Sequence, residues 1–243
     1  MFEETGAAAL YEKTKTGKLD ESDMNLKRRM QAIVDLCPAF GCWADIGCDH
    51  GRISAALLLQ GKANRVIATD VSAPSLEKAR ALCARIGISG NVAFCVGDGL
   101  EPLGQFSVQG AVLSGMGAPL ICGILLAQMQ IAKTFRAMVL SPNNYPERLR
   151  EFLSQHGFCV KKERMVKDQG KYYPVLLVLP EVEEAYTPQE LLIGRNVVAD
   201  GDFKSYLQDK CVLWEGIECK TGRKPEKSLI YQEALQEYFG TGP

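Results

Sequence analysis

The chain has 243 residues, with 28 Lys and Arg against 29 Asp and Glu, a net charge of −1, and 47% apolar and 23% charged residues. That balance excludes a disordered or fibrous chain, and it excludes a protein that holds nucleic acid by overall positive charge, so any such contact must use a local patch. The length suits one large domain with an appendage.

No apolar run approaches the ~20 residues a membrane span requires, and Met1 to Leu19 lacks the apolar core of a secretory signal, so a cytoplasmic protein with no membrane contact is expected. Nine cysteines occur without a CxxC pair, and several, such as Cys95 and Cys122, lie in apolar segments. They read as buried thiols in a reducing compartment, and with only His50 and His156 beside them no metal site is expected.

Residues 1–23 are polar and mixed in charge, including Lys13, Lys15 and Lys18, and read as a loose arm. From Leu26 the apolar residues Leu26, Met30, Ile33, Val34 and Cys37 recur at helical spacing until Pro38 ends the segment. Then β-type runs alternate with helical stretches. Strands are expected at Cys42 to Ile46, Arg65 to Asp70, Val92 to Val96, Gly110 to Leu113 and Ala137 to Leu140. Helices are expected at Arg52 to Leu59, Pro74 to Ile86, Ala118 to Met129 and Pro146 to Gln155. Strict alternation implies a doubly wound α/β fold, a parallel sheet covered on both faces. Phe158 to Val166 and Tyr172 to Leu179 follow with no helix between them, as in an antiparallel hairpin. A domain over 24–180 is thus expected. Over 181–243, Glu181 to Pro188 reads as an acidic loop, and two helices follow. One carries Phe203, Tyr206, Leu207, Cys211, Trp214 and Ile217 on one stripe, expected to be buried by its partner helix alone. The other carries Lys227, Tyr231, Ala234, Leu235 and Tyr238.

Four strand ends carry the chemistry. Asp45-Ile46-Gly47-Cys48-Asp49-His50-Gly51 runs from a strand through a glycine turn into a helix, and Gly47 and Gly51 let the backbone approach a ligand. A dinucleotide enzyme would show GxGxxG here, facing a pyrophosphate. Asp49 in the loop would repel phosphate but suits a ligand with an ammonium and a sulfonium centre, as S-adenosylmethionine has, and Asp45 adds to the bias. His50 lies beside them. Asp70, followed by Val71, ends the second strand at the distance expected of a carboxylate that accepts from ribose hydroxyls. Asp98, between Gly97 and Gly99 and followed by Leu100, can accept from an adenine amino group. Gly115 and Met116 follow the fourth strand under the crevice. Asp and Gly also populate ordinary turns, but four such turns at one edge of a sheet point to a site.

These motifs resemble those of the bacterial tRNA (adenine N1) methyltransferases that modify position twenty-two of the D-arm. Leu26-Lys27-Arg28-Arg29-Met30 resembles the family's LxKRL helix, Ala44 to His50 its ADIGTDH turn, and Gly97-Asp98-Gly99-Leu100 its GDGL loop. Gly115-Met116-Gly117 is similar to its GMGG element, and Leu140-Ser141-Pro142-Asn143 to its LQPN strand end. The resemblance covers Leu26 to Leu179, and the C-terminal helices are like the family's coiled-coil appendage. Departures fall at Arg52-Ile53-Ser54 (usually YLP-like), Ser114, Ala118 and Ser141.

The resemblance implies a seven-stranded Rossmann-like methyltransferase sheet, S-adenosylmethionine as cofactor and tRNA as partner. It also implies a phosphate-contacting surface drawn from Lys27, Arg28 and Arg29, from Arg148 and Arg150, and from the run Lys161 to Lys171. For a turned-out adenine, Asn143 is expected to hold the base edge at the catalytic position, and Tyr145 or Tyr172 to stack on the ring. Methyl transfer to another RNA or a small molecule, and non-catalytic tRNA binding, stay open on the residues alone. A nicotinamide dehydrogenase is disfavoured by the missing GxGxxG.

Overall fold

The computed structural model describes residues 26–222 and 225–240, so the arm expected over 1–23 and part of the last interhelical turn lie outside the described residues. The elements are α1 (Arg28–Leu36), β1 (Phe40–Ile46), α2 (Arg52–Leu59), β2 (Ala63–Asp70), α3 (Ala73–Arg85), β3 (Val92–Val96), β4 (Gly110–Ser114), α4 (Ala118–Ala127), α5 (Met129–Ala132) and β5 (Ala137–Ser141). Then come α6 (Pro146–Gln155), β6 (Cys159–Asp168), β7 (Lys171–Leu179), α7 (Pro188–Ile193), α8 (Gly201–Thr221) and α9 (Glu226–Phe239).

The seven strands lie in the order β3-β2-β1-β4-β5-β7-β6. The first five are parallel, and β7 runs antiparallel to both β5 and β6. Alternate residues serve opposite faces: Trp43, Val66 and Val112 pack under α1 to α3, while Ala44, Ile67 and Leu113 pack under α4 to α6. Trp43 is fully buried and faces Gly110 across the β1–β4 pair. A Cβ at Gly110 would lie 2.8 Å from the indole ring, so glycine is what lets the sheet close around the tryptophan. The β6–β7 turn is a tight one, with Gln169 and Gly170 both at positive φ, as two-residue hairpins require.

Three expectations are corrected. The helix expected over Ala118 to Met129 breaks at Gln128 into α4 and α5. The stretch after Glu181 read as loop, and it does run as loop to Thr187, but α7 then begins. Thr187 and Glu190 cap its start reciprocally, a Ser/Thr-x-x-Glu signature present in the sequence. The stripe of α8 does not depend on α9 alone. Phe203, Tyr206, Leu207 and Cys211 are buried together with Met165 of β6 and Ile193 of α7, so the first half of α8 is packed onto the domain.

That packing is anchored by an ion pair with no exposure on either side, Arg150 of α6 with Glu163 of β6. Arg150 Nη1 also donates to the Leu191 carbonyl, and the Glu163 backbone bonds to Asn196 and Val198. Arg150, expected among the phosphate-contacting residues, is therefore interior. Replacing it by Leu leaves Glu163 buried without a partner and should cost about 3–5 kcal/mol. Urea denaturation should show that loss, and most of it should be recovered in the Arg150→Leu, Glu163→Leu double variant. Equal instability of single and double variants would show that packing volume, not charge, decides.

Candidate active site

The strand order reverses between β1 and β4, and the chain connections diverge there, opening a crevice outside the carboxyl ends of the parallel strands. The β1–α2 turn is tied to the neighbouring strand: the N–H groups of Gly47 and Cys48 both donate to the Thr69 carbonyl, at 2.9 and 3.0 Å. Gly47 and Gly51 are at positive φ, and a Cβ at Gly51 would lie 2.8 Å from the Ala79 Cβ of α3. Asp49 adopts φ 48°, a left-handed conformation that Asp tolerates better than most residues, and its carboxylate stands exposed with His50 Nδ1 2.7 Å away.

The carboxylates expected in the site divide by environment. Asp70 accepts from the backbone N–H of Asp49 at 3.0 Å and of Ser72 at 2.9 Å, one on each oxygen, so it braces the loop while keeping lone pairs for a ligand. Asp98 is exposed beyond β3. Asp45 is different. It is only 2% exposed, and its Oδ2 accepts from the Ser54 N–H at 3.0 Å and hydroxyl at 2.6 Å. These bonds tie the first turn of α2 to β1. Leu100 likewise is fully buried, and Gly99, at positive φ, packs against Ile124. These two shape the loop that presents Asp98.

Two valines stand exposed at these strand ends. Val71 at the end of β2 is 70% exposed, and Val96 at the end of β3 is 61% exposed. In the sequence Val96 has no mark that sets it apart from any other strand valine. Gly115, at φ 81°, faces open space, while Met116 packs beside Gly47.

On the far side of Met116 the structure brings together Asn143, Tyr145 and Tyr172. They line one cavity of about 460 Å³ between the loop after β5, the β6–β7 turn and the C-terminal helices, with Lys171, Lys210, Trp214 and Lys227 around it. Tyr145 adopts φ 50°, a strained conformation for a bulky residue, and the Arg148 guanidinium lies 5.0 Å from its ring centre. Asn143 Nδ2 donates to the Gly115 carbonyl at 2.6 Å, which places this side chain at the junction of crevice and cavity.

Much of the expected basic surface is paired internally. Arg28 bonds Asp202 at 2.9 Å, Lys161 Glu181 at 2.8 Å, and Arg164 and Lys167 bond Asp200 and Asp209, each at 3.3 Å. Arg29 is turned inward onto Ser141, Asn143 and the Tyr173 ring rather than toward solvent. Lys27, Arg148, Lys162 and Lys171 are exposed. Among the described residues, no cluster of His, Cys, Asp and Glu is arranged to hold a metal ion, and no helix is long and apolar enough to cross a membrane.

Residues 26–176 match the family described as the methyltransferase domain. The chain belongs to that family. Within it, the chain is 27% identical over 156 residues to the tRNA (adenine(22)-N(1))-methyltransferase of Bacillus subtilis (strain 168), a match that covers 64% of this chain and 66% of that protein, just under two thirds of its length. A Streptococcus pneumoniae protein crystallised in complex with S-adenosyl-L-methionine shares the fold with a TM-score of 0.77 at 21% identity, over 87% of this chain and 100% of that one. TrmK of M. capricolum, solved with the cofactor product S-adenosyl-homocysteine, gives 0.71 at 20% identity, over 88% and 96%.

Burial pushes the Asp45 carboxyl up to about 6, against the Ser54 hydrogen bonds that pull it down. Above the ordinary carboxylate range and below about pH 6, the folded methyltransferase holds this proton more tightly than the unfolded chain does. The stability it contributes is present in acid and lost as pH rises through about 6. Relative to Asp45→Asn, which does not titrate, the wild type should therefore lose about 2–3 kcal/mol between about pH 4 and pH 7. Paired denaturant curves at each pH measure this, and a constant difference would mean that folding leaves the Asp45 carboxyl unshifted.

Proposed function

We propose that this methyltransferase moves the methyl group of S-adenosylmethionine to N1 of an adenine in the tRNA D-arm, acting in the cytoplasm. The observation that carries the reading is the meeting of two surfaces at Asn143: a crevice with Asp49, Asp70 and Asp98 at successive strand ends, and an aromatic cavity rimmed by lysines. The kinship with the Bacillus subtilis enzyme supports the choice of tRNA and of the N1 position.

The crevice suits the cofactor on its own geometry. A Cβ at Gly47 would lie 3.1 Å from Met116 Cε, so glycine keeps the backbone open there. Asp49 suits a cationic ligand end, Asp70 accepts from ribose hydroxyls, Asp98 from an adenine amino group, and Val71 and Val96 offer apolar surface to a ring. When bound, S-adenosylmethionine supplies a methyl group on a positively charged sulfur. The protein's part is to bring a nucleophile into line with it and to keep water out. Because adenine N1 is inaccessible in a stacked pair, the base must be turned out of its helix, and the aromatic walls of the cavity replace the lost stacking. The exposed Lys27, Arg148, Lys162 and Lys171, with Lys210 and Lys227 at the cavity, position phosphates rather than read sequence.

Adenine N1 carries a free lone pair at neutral pH, so no strong general base is needed. Single-turnover rates should be nearly flat between about pH 6.5 and 8.5. A steep rise through the histidine range that disappears in His50→Ala would assign the base to His50. Asp70→Ala should weaken S-adenosylmethionine binding about tenfold or more in titration calorimetry, through loss of a charged acceptor and of the loop brace. Wild-type affinity with an intact fold would remove Asp70 from the cofactor site. Mass spectrometry of nucleosides from unmodified tRNA, incubated with the protein and labelled S-adenosylmethionine, tests the reaction itself. The expected product is 1-methyladenosine, and a label found in another nucleoside or in none refutes the assignment.

A further inference from the structure

The carboxamide of Asn143 is held from two sides. Arg29 Nη1 donates to its Oδ1 at 2.6 Å, and its Nδ2 donates to the Gly115 carbonyl at 2.6 Å. A guanidinium only donates and a carbonyl only accepts, so these partners decide which amide atom is oxygen and which is nitrogen. Each partner uses half the capacity of its atom. One lone pair on Oδ1 and one N–H on Nδ2 are left by the hydrogen bonds of the described residues.

Arg29 is itself locked in place. Its Nε donates to Ser141 Oγ at 3.0 Å and its Nη2 to the Ser141 carbonyl at 2.6 Å, and the guanidinium lies 4.4 Å from the centre of the Tyr173 ring. The Ser141 hydroxyl in turn donates to the Pro174 carbonyl of β7 at 2.9 Å. The Asn143 backbone N–H donates to the Met116 carbonyl at 2.9 Å. Rotation of the amide would break bonds to α1 and β4 together.

An acceptor and a donor at carboxamide spacing match adenine in two ways. Pairing with N6 and N1 would spend the N1 lone pair, which the reaction requires. Pairing with N6 and N7 leaves N1 free. Guanine offers acceptors at both O6 and N7, so it would set O6 against the Oδ1 lone pair and be rejected. Resting on the methyl-transfer reading above, we propose that Asn143 grips the N6/N7 edge of the substrate adenine and so leaves N1 to take the methyl group. Arg29 is the positioning residue for that grip.

A tRNA assembled with either adenosine or 7-deazaadenosine at position twenty-two tests this. Exchanging N7 for C–H removes the acceptor for Asn143 Nδ2–H and leaves the N1 lone pair available. The wild type should act on the 7-deaza substrate with kcat/KM lowered about tenfold, the usual cost of one unpaired buried donor. Asn143→Ala should lower kcat/KM on the adenosine substrate and bring the ratio between the two substrates close to one. Arg29→Met should collapse the same ratio while its affinity for S-adenosylmethionine, read by calorimetry, stays at the wild-type value. Arg29→Lys should not restore the ratio, because an ammonium lacks the fork that bonds Ser141 and Asn143 together. Equal wild-type kcat/KM on the two substrates, or discrimination that survives in Asn143→Ala, overturns the proposal. Methylation of neither substrate, nor of the unmodified tRNA, would instead refute the methyl-transfer reading and this proposal with it.

Discussion

A parallel sheet covered by helices on both faces leaves only its two ends open to water, and the rest of this molecule follows from that constraint. Apart from the buried Asp45 and Thr69, the inward side chains of β1, β2 and β4 are committed to one of two apolar layers. Polar groups must therefore gather where the strands stop. The reversal of strand order between β1 and β4 then parts the connecting loops at one place on that edge. Asp49, Asp70, Asp98 and Gly115 stand there because each lies at, or within three residues of, the end of its strand.

The same carboxylate chemistry serves two ends, and burial decides between them. Asp45 and Asp70 lie at or next to the ends of adjacent strands, yet one is enclosed and holds Ser54 of α2 through its Oδ2, while the other braces two loops at the rim. Asn143 extends the division to the substrate side. Its amide joins the end of β4 to α1, so the loop that floors the crevice and the loop that borders the cavity share one set of hydrogen bonds.

The fold was largely legible in the sequence, because strand and helix periods alternate from Phe40 to Gln155 except between β3 and β4, where only a short 3-10 turn intervenes, and the glycines at 47, 51, 99 and 115 all take the positive φ that their turns require. The candidate site was legible where its residues belong to one turn. It was not where partners come from distant segments. Arg28, Arg29 and Arg150 look like surface charge until Asp202, Asn143 and Glu163, each far along the chain, are folded against them. Periodicity carries no information about such pairings. It also could not show that the stripe of α8 is shared between α9 and β6, since one apolar face fits either partner.

The two tryptophans of this chain occupy opposite kinds of place. Trp43 is fully buried at the centre of the sheet with its Nε1–H on the Pro38 carbonyl, whereas Trp214 is partly exposed on α8 and borders the cavity. The intrinsic emission of the protein is thus a sum of two distinct signals. The component from Trp43 is shielded from dissolved quenchers and reports on the integrity of the central sheet. The component from Trp214 is open to them and reports on how the helical appendage sits against the domain, so the molecule carries a spectroscopic marker for each of its two parts without any added label.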